Sequence, residues 1–397
     1  MRAWGLLVAC VGLAITTGGC WLQPGFDAGR TSWNRGESAL TSATIGEAVE
    51  LWSTDTGVGA VDTAPLSFNG TVVAVADPDV AGQPHKAVRL DAATGATLWT
   101  TPLTPSVAGQ TVGSPVYLAG VVHVPSGIAN APQAGTYRVD ATSGTVLGLS
   151  GPLQTSRLSV ADGTIATLWR AQSLGNGFAV INWKYQPTMR ADFGDPPPGR
   201  DFAIVDDRIM WNSGPWAAGY SSVCPQYPGL PDEACLPDWA VNLGGNAVGI
   251  ADLGVDRVVY TDVTGTVTAL DAATGTLGWT AETGSTLSTP IAVAGGSILV
   301  TTDDNRLLAV SATDGTLQWQ APLTGHPGGP VAAGDVVYVP VGSDVVAFAL
   351  TGCGAASCQP IATLPVGSAV TGGPIVDDGR VVVGTADGRL VAFGLAG

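Results

Sequence analysis

The chain has 397 residues, of which 12% are charged and 45% are apolar, and it contains 55 glycines and 27 prolines. This composition is typical of many short strands joined by tight turns, and it is too apolar for a disordered chain. The formal net charge of −16 argues against nucleic acid as a partner, because an acidic body repels a phosphate backbone.

Residues 1–19 are predicted to be a secretory signal peptide. Arg2 is followed by an apolar run over residues 3–15, which is shorter than the roughly 20 residues that span a bilayer. The small residues before Cys20 resemble the lipobox of bacterial lipoproteins, although Thr17 stands where the lipobox has leucine. The resemblance implies that Cys20 is diacylated and anchors an exported chain to the outer face of the cell membrane. Secretion without lipid is the alternative.

Residues 20–47 are then predicted to be a lipid-anchored tether and lead-in. Within them, the string WNRGESALT (33–41) is similar to segments that precede propellers in exported bacterial relatives.

A repeated unit dominates the rest of the chain. Three strings align without gaps, RLDAATGATLW (89–99), ALDAATGTLGW (269–279) and AVSATDGTLQW (309–319), and RVDATSGTVLG (138–148) has Gly148 in place of the tryptophan. Each predicts a strand, a turn with Gly at its left-handed position, and a second strand. The hairpin that precedes the third string, within residues 289–310, adds two more strands. A unit of about 40 residues and four antiparallel strands is typical of a propeller blade.

These strings resemble the tryptophan-docking motif of the PQQ-binding-like, or BamB-like, β-propellers. STPIAVAGG (288–296) resembles the first strand of that family's repeat. The resemblance covers the chain from about residue 48 to its end and is strongest in residues 60–100 and 248–348. It implies that residues 48–397 form an all-β propeller domain. It also implies that large aromatic side chains on the outer strands dock each blade against the next; these are Trp52, Trp99, Trp279 and Trp319.

The positions of the first strands predict eight blades. We expect these strands near Pro65, Pro115, Ser159, Ala203, Gly249, Pro290, Pro330 and Pro374. The last unit contains only three strands, whereas AVELWSTDTG (48–57) has no unit of its own. We therefore predict that this N-terminal strand completes the last blade and closes an eight-bladed ring. Seven blades is the alternative, because residues 150–247 match the repeat poorly.

Four cysteines form two pairs that are local in sequence, Cys224 with Cys235 and Cys353 with Cys358. In an exported protein such pairs are predicted to be disulfides that staple loops. A zinc site is the alternative, but it needs converging ligands, and the three histidines (His85, His123 and His326) are scattered along the chain.

The residues of the family's enzymes are not found. Quinoprotein dehydrogenases have adjacent cysteines in a disulfide and a Glu/Asn/Asp metal set in the axial funnel, and this sequence has no adjacent cysteines. The three Asp pairs at predicted hairpin tips are expected to bond the turn backbone rather than calcium; they are Asp206–Asp207, Asp303–Asp304 and Asp377–Asp378. We predict no catalytic residue, no metal site and no cofactor.

The segment 165–240 departs most from the repeat and is rich in aromatic residues. Some of them, Trp239 especially, are expected to dock degenerate blades. Others are candidates for partner binding; these are Trp183, Tyr185, Trp211, Trp216 and Tyr220.

Three functions remain open. The leading hypothesis is a non-enzymatic, monomeric envelope propeller that binds an envelope protein or a surface polymer and touches the membrane only through its lipid. The second is a module that binds a small molecule or glycan. The third is a quinoprotein-type dehydrogenase, for which the site residues are missing.

Overall fold

The computed structural model describes residues 20–57, 59–77, 83–105, 111–127, 135–150, 155–171, 178–182, 189–192, 201–221 and 237–397. These residues form strands β1–β34 and one 3-10 helix, Ile45–Glu47. None of the helical segments in these ranges is long and apolar enough to cross a membrane.

The strands up to the middle of the chain are β1 (Trp33–Asn34), β2 (Val49–Asp55), β3 (Leu66–Phe68), β4 (Thr71–Ala76), β5 (Lys86–Asp91), β6 (Thr97–Pro102), β7 (Thr111–Val112), β8 (Val116–Leu118), β9 (Val121–Gly127), β10 (Gly135–Asp140), β11 (Val146–Ser150), β12 (Thr155–Ala161), β13 (Thr164–Ala171), β14 (Phe178–Asn182), β15 (Met189–Asp192), β16 (Phe202–Val205) and β17 (Arg208–Ser213).

The remaining strands are β18 (Trp216–Ser221), β19 (Trp239–Asn242), β20 (Ala247–Asp252), β21 (Arg257–Asp262), β22 (Thr266–Asp271), β23 (Leu277–Glu282), β24 (Ala292–Ala294), β25 (Ser297–Thr302), β26 (Arg306–Ser311), β27 (Leu317–Pro322), β28 (Val331–Ala333), β29 (Val336–Val341), β30 (Asp344–Ala349), β31 (Ala362–Pro365), β32 (Val370–Asp377), β33 (Arg380–Thr385) and β34 (Arg389–Gly394).

The described strands form eight sheets that resemble the blades of a propeller. In chain order the sheets are β3–β6, β7–β11, β12–β15, β16–β19, β20–β23, β24–β27, β28–β31, and β32–β34 with β2; we number them one to eight. Each of the eight residues at which a first strand is predicted lies within an observed strand or no more than two residues before one. Within each sheet the named strands pair antiparallel, and β1 is added to the seventh sheet in parallel to β28.

The burial of the strands follows their order within a sheet. The second strands β4, β25 and β29 are buried at every residue, because neighbouring sheets cover both of their faces. The fourth strand β23 has no buried residue and alternates between exposed and half-buried positions. The core therefore lies between the sheets and toward their inner strands, and the fourth strands form the outer edge.

The turn of the repeated motif is held by its aspartate. The Asp271 carboxylate accepts hydrogen bonds from the backbone N–H of Ala273 at 3.0 Å and from that of Thr274 at 2.8 Å. The Thr274 hydroxyl donates to the same oxygen, and these hydrogen bonds lower the pKa of Asp271. Gly275 follows with φ of +69°, the left-handed conformation that the sequence predicts at this position. Sequence and local chemistry therefore agree on this turn.

The N-terminal strand β2 pairs antiparallel with β34 and completes the eighth sheet, as the sequence predicts. Its partner residues run from Val49 opposite Gly394 to Asp55 opposite Arg389. In addition, β3 of the first sheet contacts β32 of the eighth. The two ends of the chain are therefore joined in one sheet.

Residues 20–47 differ from the tether that the sequence predicts. Trp21 is only 2% exposed and exchanges two backbone hydrogen bonds of 2.9 Å with Ser67. Leu40 and Ile45 are also buried, in a cluster with residues of the first, seventh and eighth sheets. A tether would keep its side chains in water, whereas this segment has apolar and polar groups that find partners on the sheets.

Candidate functional site

Five tryptophans on outer strands pack against a glycine of the following sheet. In each pair, a Cβ built on the glycine would lie within 2.8 Å of a ring atom, so only glycine leaves room for the indole. The pairs are Trp52 with Gly95, Trp99 with Gly144, Trp239 with Gly275, Trp279 with Gly315, and Trp319 with Gly352. The repeat therefore couples its glycine and its tryptophan across the boundary between two sheets.

Four of these indoles also donate a hydrogen bond to the following sheet. Trp52 Nε1 donates to the Ala92 carbonyl at 2.9 Å, across the boundary between the eighth and first sheets. The corresponding bonds of Trp99, Trp239 and Trp319 measure 3.1, 3.0 and 3.3 Å. This is the arrangement that a docking role requires, and Trp239 has it within the degenerate part of the chain.

The structure corrects the candidate aromatic patch. Trp211 is 2% and Tyr220 is 3% exposed, and both lie in a core cluster with Ala161 and Ala166 of the third sheet. The segment around Gly214 and Pro215 is a tight hairpin between β17 and β18 rather than a long loop. Trp211 and Tyr220 lie on the face of the fourth sheet that packs against the third sheet, so a second molecule cannot reach them.

Trp216 is the member of the patch that remains at the surface. It begins β18 at the hairpin tip, and 37% of its surface is exposed. Trp183 and Tyr185 lie outside the described residues. Sequence composition therefore located an aromatic-rich segment. Strand alternation does not separate its members, because Trp216 and Tyr220 lie on the same face of β18; Trp216 is exposed because it lies at the hairpin tip.

Asp303 and Asp304, at the hairpin tip between β25 and β26, bond the surrounding chain, whereas the pKa of Asp206 is raised by burial and by the nearby Asp256. Asp303 accepts hydrogen bonds of 2.6 Å from the hydroxyls of Thr286 and Ser288, which lower its pKa. Asp304 pairs with Arg306 at 2.9 Å, and its pKa is also lowered, first by that hydrogen bond. The carboxylate oxygens of Asp303 and Asp304 therefore accept hydrogen bonds from nearby residues.

Asp377 behaves differently from Asp303 and Asp304. Burial raises its pKa to about 7, and the nearby Asp378 and Glu37 act in the same direction. Its carboxylate accepts a hydrogen bond of 2.6 Å from the Ser67 hydroxyl of the first sheet. This side chain therefore joins the first and eighth sheets.

The histidines do not meet one another. His85 Nε2 lies 2.6 Å from Asp77 Oδ1 in the first sheet, and Asp62 lies close enough for its pKa to be raised by burial and by Asp77. His123 is on β9, where burial and Arg138 lower its pKa to about 4. In the ranges that the structure describes, no group of three or more His, Cys, Asp or Glu is placed to hold a metal ion.

Of the two predicted disulfides, one lies within the described residues. Cys353 and Cys358 form a disulfide, and their loop lies along the outer strand of the sixth sheet, with Gln320 N donating to the Ala356 carbonyl at 3.0 Å. The predicted pair Cys224 and Cys235 lies outside the described residues. Cys20 is partly buried and packs against the core cluster of the first and second sheets.

A surface groove of about 370 Å³ lies between the fifth and sixth sheets. Its walls include Glu282, Arg306 and Asp314, and its floor includes Leu308 and Val310. It is the kind of mixed polar and apolar concavity in which a small polar ligand could bind.

The residues that sequence reasoning missed are those of the N-terminal segment. Arg30 is buried, lies 3.1 Å from Asp201 and donates to the Phe202 carbonyl at 3.2 Å. Asn34 Nδ2 donates to the Val376 carbonyl at 2.8 Å. The available signal was the string WNRGESALT, which contains Asn34 and Glu37 and resembles segments ahead of other propellers.

The family model described as outer membrane protein assembly factor BamB matches residues 27–189 and 237–397. No curated protein sequence matches the chain.

Several solved structures share the fold. A quinohemoprotein alcohol dehydrogenase from Pseudomonas putida superposes with a TM-score of 0.70 at 12% identity, covering 95% of this chain and 80% of that one. A europium-containing methanol dehydrogenase gives 0.70 at 13% identity, covering 95% and 98%. A computationally designed protein gives 0.62 at 15% identity, covering 87% and 98%. At such identities the likeness concerns the fold and not the activity.

Proposed function

Because the chain belongs to the family of outer membrane protein assembly factor BamB, we propose that it is a non-enzymatic propeller of the cell envelope that binds another protein or a surface polymer. The observation that carries the binding role is Trp216, a large aromatic side chain exposed at a hairpin tip while its neighbours Trp211 and Tyr220 are buried. Exposed aromatic side chains on a rigid scaffold are typical contact residues in protein interfaces.

The proposed form is a closed ring of eight blades. Contacts between first strands join the fourth to the eighth sheets in succession, and β3 with β32 joins the eighth to the first. The rings of Phe68 and Tyr117 stack at 3.9 Å between the first and second sheets, β8 contacts β12 of the third, and the Trp211 cluster joins the third and fourth. In a seven-bladed ring, one of these eight sheets would lie outside the ring and could not make the contacts with both of its neighbours.

The proposed location is the outer face of the cell membrane, with lipid on Cys20 after removal of residues 1–19. A thioether-linked lipid would occupy the Cys20 sulfur. Intact mass of the mature protein distinguishes a diacylated Cys20 from a secreted chain with a free or bridged cysteine. In cells, Cys20→Ser should release the protein from the membrane fraction if the anchor is real.

Site-specific photo-crosslinking in intact cells tests the binding role. A photo-reactive residue is placed at Trp216 and, as a control, at Val255, which is 84% exposed in the turn between β20 and β21 at the opposite end of the sheets. We expect one discrete protein or polymer adduct at position 216 and none at position 255. Equal labelling at both positions, or none at 216, would contradict the proposal.

The groove between the fifth and sixth sheets favours a small-molecule or glycan ligand as the second candidate function. Glycan binding that is lost in Glu282→Gln, together with no adduct at position 216, would favour this candidate. The quinoprotein alternative is tested by adding PQQ and Ca²⁺. An absorbance change or a rise in Tm would support it.

A further inference from the structure

Residues 21–37 touch the first strand of all eight sheets in the order of the chain, where β8 is counted as the first strand of the second sheet because the two-residue β7 precedes it. Backbone hydrogen bonds reach six of them: Trp21 bonds to Ser67, and the carbonyls of Leu22, Ala28, Gly29, Thr31 and Ser32 accept from the N–H groups of Tyr117, Ile204, Asp252, Val293 and Ala332 at 2.7–2.9 Å. Side chains of the segment contact the third and eighth sheets. One short stretch of chain therefore follows the complete circuit of inner strands.

The contacted residues occupy equivalent positions. Each is the last or second-last residue of its first strand, next to the turn that leads into the second strand. In seven sheets the backbone N–H at this position donates into the segment. The free edge of an inner strand presents unpaired backbone groups that need partners, and the segment supplies the acceptors.

Side chains complete the circuit where backbone contacts do not. Gln23 Oε1 accepts from Val160 N at 2.6 Å and from the Ser159 hydroxyl at 2.9 Å, and Gln23 Nε2 donates to the Val160 carbonyl at 3.0 Å. At the other end, Asn34 donates to Val376, and Glu37 Oε2 accepts from Gly379 N at 3.0 Å. Gln23 and Asn34 therefore fix the segment to the third and eighth sheets.

The middle of the segment is held by compensated charge. The Arg30 guanidinium donates to the carbonyls of Pro24, Leu158 and Phe202 and pairs with Asp201. Asp27 accepts from Thr31 N at 2.9 Å, although burial still raises the pKa of Asp27. A buried guanidinium persists only where such partners surround it, so the segment fits this end of the sheets specifically.

We propose that this end of the ring of first strands is a binding site for a peptide that presents backbone carbonyl groups along a path with several turns, and that residues 21–37 are its resident ligand. The segment thereby couples the inner ends of all eight sheets, in addition to the closure of the ring by β2. This peptide-binding site is additional to the proposed scaffold role and does not depend on which partner the exposed face binds.

Hydrogen exchange in the full mature chain tests the coupling. The double variant Gln23→Ala/Asn34→Ala removes the side-chain contacts near both ends of the segment. We expect at least about tenfold faster exchange at the distant amides of Ile204, Val293 and Ala332, because the segment loosens as a unit. The matched control is Gln318→Ala, which removes a Gln side chain that accepts a hydrogen bond from Ser297 outside the segment. Acceleration confined to Val160 and its neighbours would overturn the coupling.

A nicked form of the protein tests the binding site directly, even if the double variant does not fold. A protease site is inserted between Ala43 and Thr44, where Ala43 is exposed. After cleavage under reducing conditions, we expect the N-terminal piece to remain associated in gel filtration and to exchange with a synthetic peptide of residues 21–37. The same peptide with alanine at positions 23 and 34 should exchange at least about tenfold less well. Release of the piece on cleavage, or equal competition by both peptides, would overturn the proposal.

Discussion

Replacing Gly95 by alanine tests the idea that the repeat's glycine is required by the tryptophan of the preceding sheet. Gly95 has φ of +70°, and a Cβ built on it would lie 2.7 Å from Trp52 Cδ2 and from the Thr54 hydroxyl. Gly70, in the same sheet, has nearly the same φ, +67°, but a Cβ there would meet nothing within 4 Å. The two glycines therefore differ in packing and not in backbone conformation.

The expected magnitudes follow from that difference. Alanine at either position pays about 1–2 kcal/mol for the left-handed conformation. Gly95→Ala should cost about 1–3 kcal/mol more, because the added methyl group must displace a ring that is only 7% exposed. Trp52→Ala alone should cost about 3–5 kcal/mol, since it also removes the hydrogen bond to the Ala92 carbonyl.

The measurement is the free energy of unfolding in urea for the three single variants and for Trp52→Ala/Gly95→Ala. In the Trp52→Ala background, Gly95→Ala should cost less than it does in the wild type, because the clash with the ring is gone and only the Thr54 hydroxyl remains close. Equal losses for Gly95→Ala and Gly70→Ala in the wild-type background would refute the reasoning. So would strict additivity of Gly95→Ala and Trp52→Ala.

Three further predictions concern other parts of the molecule. Burial raises the pKa of Asp377 from 3.8 to about 7. The contribution of Asp377 to the free energy of unfolding is therefore full below pH 4 and is lost as the pH rises to about 7, a loss of up to about 4 kcal/mol. Asp377→Asn should flatten the pH profile of the free energy of unfolding over that interval. Trp211→Ala should lower the unfolding free energy by about 3–5 kcal/mol, whereas Trp216→Ala should change it little and instead abolish the adduct expected at position 216. Cys353→Ser should lower the free energy of unfolding by about 2 kcal/mol at most, because the loop that the Cys353–Cys358 disulfide closes is short. The variant should still unfold in one cooperative transition.

The repeated units could be predicted because their local chemistry and their packing demand the same residues. At Gly275 the turn needs a positive φ and the Trp239 ring needs an open space, so a single glycine satisfies both. The spacing from that glycine to the next tryptophan places the indole on the outer strand, facing the following sheet. The pairing of β2 with β34 could be predicted in the same way, since a three-stranded last unit and an unassigned strand around Trp52 complete each other.

The aromatic patch could not be resolved by composition alone. Trp211 and Trp216 lie five positions apart and flank the same turn, yet one is 2% and the other 37% exposed. The register of the hairpin places Ser213 opposite Trp216 and Trp211 opposite Ala218, so both tryptophans lie on the same face of the sheet and only Trp216, at the hairpin tip, is exposed. The hairpin register depends on turn geometry, which the dipeptide Gly214-Pro215 does not specify without the flanking strands being assigned first.

The N-terminal segment shows a different reason why sequence reasoning stops. Repeats can be recognised because each unit carries the same pattern, whereas residues 21–37 contact eight equivalent backbone positions through eight different residue types at irregular spacing. Carbonyls accept at most of the sheets, the Gln23 amide serves the third, and Asn34 serves the eighth. A strand edge presents the same N–H group whatever its side chains are, so its ligand needs carbonyl groups at the right spacing and no particular residue. Such a segment therefore has almost no periodic sequence pattern. The side chains that could identify it are Gln23 and Asn34, which make the contact at the two sheets where the backbone of the segment does not.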